Sequence, residues 1–339
     1  MSRWRYFLQR VALSLPVLVF GTTVTFLSIR VGPVDPVAAI LGSPTNAAER
    51  QEYERIKEQL GLNEPLWEQY IDFMTDLLTL DLGQSWVVAP NTGTVDLIMT
   101  YAPRTIWLGF WAVLIAIFVG IPLGFYAGSR ANTGADYTAS ILGIVWRAMP
   151  NFWLAVILVS VLSQSSEFIG ISWQHLGPDV TVTGAPNLKQ LEDPAVFVSA
   201  TKKVLPAAVV LGSASMGNEM RIGRTAVIET ISENYVEAAR AKGVSEQRLL
   251  WKHIFRNALI PLVPIITGEA FVLIGGSVLV ETVFGINGMG WLFYRASIQG
   301  DLPLIGSLMF VFIALIVTVN ILQDLLYVLI DPRIGYTDR

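Results

Sequence analysis

This chain of 339 residues has no cysteine and only two histidines, His175 and His253. Disulfides, thiolate metal sites and cysteine nucleophiles are excluded together. Two histidines leave little material for a zinc site or a serine hydrolase, so no metal centre is expected. No G-x-x-x-x-G-K-[ST] run occurs, and Gly285, Gly288 and Gly290 have the wrong spacing for a dinucleotide turn. What remains is charge in unusual places. Arg147, Glu269 and Asp324 fall within or beside apolar runs, where an ionisable group is costly and marks function by default. Arg147, about two turns from the cytoplasmic end of its run, either snorkels to the interface or faces a pathway. Glu269 lies in the middle of its run and either faces a polar passage or pairs with Arg147.

A second group of residues is arranged for contact rather than catalysis. In "YVEAARAKG", residues 235–243, Ala238 and Ala239 stand side by side where a surface helix ordinarily carries long polar side chains. A partner backbone could approach such a patch closely, while Glu237, Arg240 and Lys242 supply charge-assisted contacts that orient it. Ser232 is expected to cap a helix running through Lys242, Gly243 to end it, and Ser245 to cap a further helix running through Arg256 to Pro261. The bland alternative is an ordinary basic loop.

The elements that must carry these residues are membrane spans. Hydrophobic residues make up 53% of the chain and charged residues 15%, against about 25% charged in a soluble domain. Apolar runs at about 9–29, 104–127, 138–162, 204–220, 259–281 and 304–328 each suit a helix crossing the hydrocarbon core. The expected fold is therefore an all-α polytopic membrane protein of about six spans. The fourth run, "VLPAAVVLGSASMG", is short and rich in Gly, Ala and Ser, which suits a helix packed in a bundle or lining a passage. Ser213 and Ser215 in it join Arg147 and Glu269 as pathway candidates.

With six spans both termini share a side, and that side collects Arg3, Arg5, Arg10, Arg130, Arg221, Arg224, Arg240, Lys242, Arg248, Lys252, Arg256, Arg333 and Arg339. The positive-inside rule then places both termini and the alanine-paired loop in the cytoplasm. Three regions follow: a first span in 1–30, an extracytoplasmic helical segment over 31–100, and a core over 101–339. The core carries an irregular external insertion at 163–202 and a cytoplasmic loop at 221–258. In 31–100, Tyr53, Ile56 and Leu60 recur at helical spacing before Gly61. Asn63 can cap a second helix whose face holds Trp67, Tyr70, Ile71, Met74, Leu77 and Leu78. The net charge of −4 gives no reason to invoke nucleic acid.

Glu237, Ala238 and Ala239 followed four residues later by Gly243, in a loop before the penultimate span, resemble the cytoplasmic coupling loop of ABC importer permeases. The sequence continues with His253, Arg256, Asn257, Ala258, Leu259 and Pro261, similar to the H-x-x-R-N-A-L-x-P form of the peptide and nickel subclass. "DLGQSW" (Asp81 to Trp86), "AMPNFW", "ETVFGINGMG" and "DLLYVLIDPRI" resemble further motifs of that subclass in the same order. Leu80 and Asn287 depart from it, standing where glycine and proline are common.

The resemblance implies a type I importer permease with no cofactor of its own. ATP and Mg would sit on two separate ATPase subunits, reached through Glu237, Ala238, Ala239, Arg240, Ala241, Lys242 and Gly243 together with His253, Arg256 and Asn257. A second, homologous permease, an extracytoplasmic substrate-binding protein and the lipid bilayer complete the partners. Dipeptides or oligopeptides are the expected cargo, with nickel, a sugar or another small solute as alternatives. An ion-coupled secondary transporter would show inverted repeats and matched midplane acids. An intramembrane hydrolase would need a nucleophile and base at membrane depth. Neither pattern is present in the sequence.

Overall fold

A computed structural model describes residues 3–32, 35–170, 192–259, 262, 268 and 277–330. Every regular element among the described residues is helical apart from one isolated bridge, Gln84 to Gly93. The chain divides into two compact units, Met1–Pro103 with Gly288–Arg339, and Arg104–Asn287.

In the first unit, α1 (Arg3–Val31) lies along α16 (Leu302–Ile330). Three short helices follow α1: α2 (Pro36–Leu41), α3 (Ala47–Gln59) and α4 (Leu66–Thr79). α3 is capped by Asn46, whose Oδ1 accepts from the Glu49 N–H at 2.9 Å, while Glu49 Oε2 reaches past the cap to accept from the Thr45 N–H at 2.6 Å. It buries no residue, so its acids form a solvated face. α4 instead packs on α1. Phe26 of α1 meets Tyr70 edge-on at 5.3 Å and Phe73 at 5.4 Å, and Thr23 Oγ1 lies 2.7 Å from the Tyr70 hydroxyl. The expected apolar face of α4 is split by this docking. Leu77 is buried and Tyr70 and Met74 half-buried, whereas Trp67, Ile71 and Leu78 are exposed. Asn63 does not cap α4, because Pro65 occupies the N-cap position and no side chain bonds there. The unit is completed by the start of α5 (Thr94–Ile115), by α15 (Met289–Gln299) and by α16.

In the second unit, α5 runs through a π-helical turn, Ala116–Gly120, into α6 (Ile121–Ser129). Ala112, Ala116, Gly120, Gly124 and Gly128 recur every four residues along this run and let it approach α10 (Pro194–Ile231) backbone to backbone. A Cβ on Gly124 would lie 2.4 Å from the carbonyl oxygen of Met220. α10 was expected only over 204–220. It begins earlier because Asp193 accepts from the Ala195 N–H at 2.9 Å and Pro194 fits the first turn. At 38 residues it measures about 57 Å, well beyond the hydrocarbon thickness of about 30 Å. It thus takes in the end of the segment read as an irregular insertion and the start of the expected loop.

The expected span over 138–162 is two helices, α7 (Gly134–Ala148) and α8 (Asn151–Ser163), bent by 96° between Ala148 and Asn151. Pro150 is the cause: the residue before a proline is pushed out of the helical region, and Met149 sits at φ −82°, ψ 127°. A short α9 (Ser165–Ile169) follows. The expected span over 259–281 lies almost wholly outside the described residues, of which 277–284 form α14. Among the described residues, four helices are long and apolar enough to cross a membrane, or five if the bent pair counts as one span.

Candidate functional site

α10 continues past its apolar part through Arg221 and Arg224 to Ile231, so the hairpin that follows is joined to a membrane-crossing helix by unbroken helical backbone. Ser232 closes α10 rather than capping the next helix, as its hydroxyl donates backward to the Glu229 carbonyl at 2.7 Å. α11 (Asn234–Ala241) then starts from Glu233 without a side-chain cap. Its end is as the sequence suggests. Gly243 adopts φ +75°, its N–H donates to the Arg240 carbonyl at 3.0 Å, and the Val244 N–H donates to the Ala239 carbonyl at 3.2 Å, which is a Schellman closure.

α11 turns one stripe inward. Val236 is fully buried in a cluster with Phe125, Val227, Leu249 and Ile254, and Ala239 and Val244 pack at its edge. The two alanines therefore do not form a single outward patch, since neighbours on a helix point about 100° apart. The outward stripe is Asn234, Glu237, Ala238 and Ala241, exposed at helical spacing. Across the turn, Arg240 Nε donates to Glu246 Oε1 at 2.8 Å. This bond holds the Glu246 carboxyl below its ordinary range and raises the Arg240 guanidinium, both groups remaining exposed.

The hairpin returns through α12 (Glu246–Arg248), a π-helical stretch over Leu249–Phe255 and α13 (Arg256–Ala258). This limb braces α11. Asn257 Nδ2 donates to the Tyr235 hydroxyl and to the His253 carbonyl, each at 2.8 Å. Phe255 meets Phe125 of α6 edge-on at 4.9 Å, and Trp251 lies 5.4 Å from the same ring. Of the candidate residues on this limb, Asn257 and His253 are brought against α11, while Arg256 is exposed, as is Lys242 at the C-cap.

The pathway candidates are dispersed. Ser213 and Ser215 are buried on α10, and the Ser213 hydroxyl donates to the Val210 carbonyl at 3.0 Å. Arg147 is exposed on α7, and its Nη1 donates to Asn218 Oδ1 at 3.3 Å. Glu269 lies outside the described residues, and with it the expected pairing to Arg147. In the first unit, Asp324 pairs with Arg10 at 3.7 Å. Of three buried acids in the second unit, sequence reasoning missed Asp136 and Glu219 and met Glu281 only as the first residue of the ETVFGINGMG motif. Asp136 takes a two-pronged bond from Arg224, with Nη2 to Oδ2 at 2.8 Å. Glu219 is fully buried beside Gly120, and Glu281 accepts from Thr105 Oγ1 at 2.7 Å. The rule that an ionisable group in an apolar run marks function would have found Glu219 and Glu281. Among the described residues, no group of His, Cys, Asp or Glu is arranged to hold a metal ion.

Comparison with known proteins bears on the whole chain. Residues 120–336 match the model of the binding-protein-dependent transport system inner membrane component, and residues 3–94 match that family's N-terminal model. The oligopeptide transport system permease protein AppB of Bacillus subtilis is 32% identical over 98% of this chain and 99% of its own length. The dipeptide transport system permease protein DppB of Alkalihalophilus pseudofirmus is also 32% identical, and that of Escherichia coli K12 29% identical, with the same coverage. An all-helical chain with several apolar spans, matched from end to end in this way, belongs to the family of binding-protein-dependent transport system inner membrane components.

Proposed function

We propose that the chain forms half of the translocation pathway of an ATP-driven importer of dipeptides or oligopeptides, and that α11 is where a separate ATPase subunit docks. The observation that carries this reading is the outward stripe of α11. Asn234, Glu237, Ala238 and Ala241 give a narrow surface with one acid and two alanines, held rigidly by Val236 behind it and by the Gly243 closure. Exposed small residues favour close backbone approach by a partner, and a fixed Glu237 orients that partner. The near full-length relatives named for peptide transport support peptides as the cargo over nickel or a sugar.

In this reading, α10 carries motion from α11 into the membrane as one rigid element, the kind of body that alternating access requires. ATP and Mg belong to the two ATPase subunits, and a second permease and an external binding protein complete the assembly. Both termini and the hairpin face the cytoplasm, residues 31–100 and 163–202 face outward, and Arg147, Ser213, Ser215 and Glu269 remain pathway candidates. The test is reconstitution of the whole complex in liposomes. Uptake of a labelled dipeptide that needs ATP, and is lost in Glu237→Arg, supports the reading. Uptake of nickel or maltose but not dipeptide overturns the cargo assignment, and full uptake by Glu237→Arg overturns the docking assignment.

A further inference from the structure

The first unit holds two neighbouring cavities of about 450 Å³ and about 310 Å³, and Arg30 lines both. Arg30 lies in the last turn of α1, and its guanidinium lies 6.0 Å from the centre of the Phe26 ring. One guanidinium nitrogen, Nη1, is buried and meets no hydrogen-bond acceptor in the described structure. Such a donor is costly to leave unmade, and its natural acceptor is a carboxylate. Arg30 shares the larger cavity with five acids, Glu58, Glu64, Asp72, Asp76 and Asp81, and with the aromatic rings of Phe73 and Trp86. Burial, and then the charges of Asp81 and Asp72, push the Asp76 carboxyl up.

We propose that this cleft is a binding site for the zwitterionic backbone of a short peptide, with its terminal carboxylate on Arg30 and its terminal ammonium among Asp72, Asp76 and Asp81. The proposal rests on the peptide reading above and adds to it a substrate site on the permease itself, apart from any external receptor. A cavity of about 450 Å³ is of the size that accommodates small ligands. Phe73 and Trp86 offer apolar surface to side chains without selecting one, which suits a carrier of varied peptides. The need for both charge types also sets what the cleft rejects. A monovalent amine meets the acids but leaves Nη1 of Arg30 unmatched, and a simple carboxylate meets Arg30 but not the acids.

The test uses the complete permease and ATPase complex without receptor, with dialanine, dialanine amide and N-acetyl-dialanine as probes in equilibrium dialysis. Free dialanine is expected to bind at least tenfold more tightly than either blocked form. Arg30→Gln is expected to abolish the preference over the amide, and Asp76→Asn to reduce the preference over the acetylated form. Arg30→Lys, keeping the charge, guards against loss through misfolding and is expected to retain most of the selectivity. Equal binding of all three probes, or no binding of dialanine to the wild-type complex, overturns the proposal. ATP-driven dipeptide uptake by the full system separates the two readings: uptake without cleft binding sinks this site and leaves the importer, while loss of uptake in the wild type sinks the importer itself.

Discussion

Ser85 and Asp301, 216 positions apart, share a 2.5 Å hydrogen bond in a buried setting. The Asp301 carboxylate also accepts the backbone N–H groups of Trp86, Val87 and Val88 at 3.2, 3.0 and 2.9 Å. The Asp81 to Trp86 motif is therefore the edge of a loop clipped onto the start of α16. Removing Asp301 leaves the buried Ser85 hydroxyl unmade, at about 1–3 kcal/mol, and three half-buried backbone donors unmade at a smaller cost each. Asp301→Ala should lower the thermal unfolding midpoint of the purified complex sharply and Ser85→Ala modestly. A double-mutant cycle showing no coupling between the two would contradict the clip.

Leu80 offers a gain instead of a loss. It ends α4 in the left-handed region at φ +58°, ψ 24°, and its side chain is 66% exposed, so little packing depends on it. A non-glycine residue there costs about 1–2 kcal/mol. Leu80→Gly should raise stability by about 0.5–1 kcal/mol after the extra chain entropy of glycine is counted. A lower unfolding midpoint would show that the exposed leucine has a partner in the assembled particle.

Close helix approach predicts a sharp contrast between two glycines. Gly124→Ala places a methyl group 2.4 Å from the Met220 carbonyl oxygen, whereas Gly134→Ala meets nothing within 4 Å. The first should cost about 1–3 kcal/mol and reduce the yield of assembled protein, and the second should be neutral. Detergent thermal melts of the two variants side by side check the contrast.

The legible part of this fold followed apolar runs and glycines. Gly243 ends α11 in the left-handed form that its position implied, and α1 and α16 occupy the runs that hydropathy marked. What escaped depended on partners far away in sequence. Ser232 reads from the sequence as the cap of α11, and only its bond to Glu229 assigns it to the end of α10. α10 outran its apolar segment because backbone hydrogen bonding continues through Lys202, Arg221 and Arg224 regardless of hydropathy. The bend at Met149 was available from Pro150 alone but was hidden inside a continuous apolar run. Of the candidate coupling residues, position on the helix sorted Ala238 from Ala239, which composition could not do.

A pH-dependent lock joins α2 to α3. The Tyr53 hydroxyl donates to Asp35 Oδ2, and Asp35 also caps α2 through the Val37 and Ala38 N–H groups at 3.0 and 3.2 Å. Burial pulls the Asp35 carboxyl upward, but these bonds outweigh it and the net direction is down from 3.8. Tyr53 is raised to about 12, chiefly by the bond to Asp35. A depressed acid contributes above its unfolded value and loses that contribution as pH falls through its folded value, here below 3.8. A raised phenol contributes below 10 and loses that contribution between 10 and about 12. The protection of amides in residues 36–59, taken relative to the intrinsic exchange rate at each pH, should therefore fall at both extremes, and Tyr53→Phe should remove the alkaline step. An unchanged alkaline step in Tyr53→Phe would rule this lock out.

The absence of native cysteine makes the proposed docking surface directly testable. Ala238→Cys and Ala239→Cys, each in the complete complex, can be treated with a thiol reagent with and without the ATPase subunit bound. The expected result is rapid labelling of Ala238→Cys that the ATPase suppresses at least tenfold, slow labelling of Ala239→Cys in either case, and a cross-link from position 238 to the ATPase alone. Equal labelling of Ala238→Cys with the ATPase present and absent, or labelling only by a reagent confined to the external side, would contradict the account.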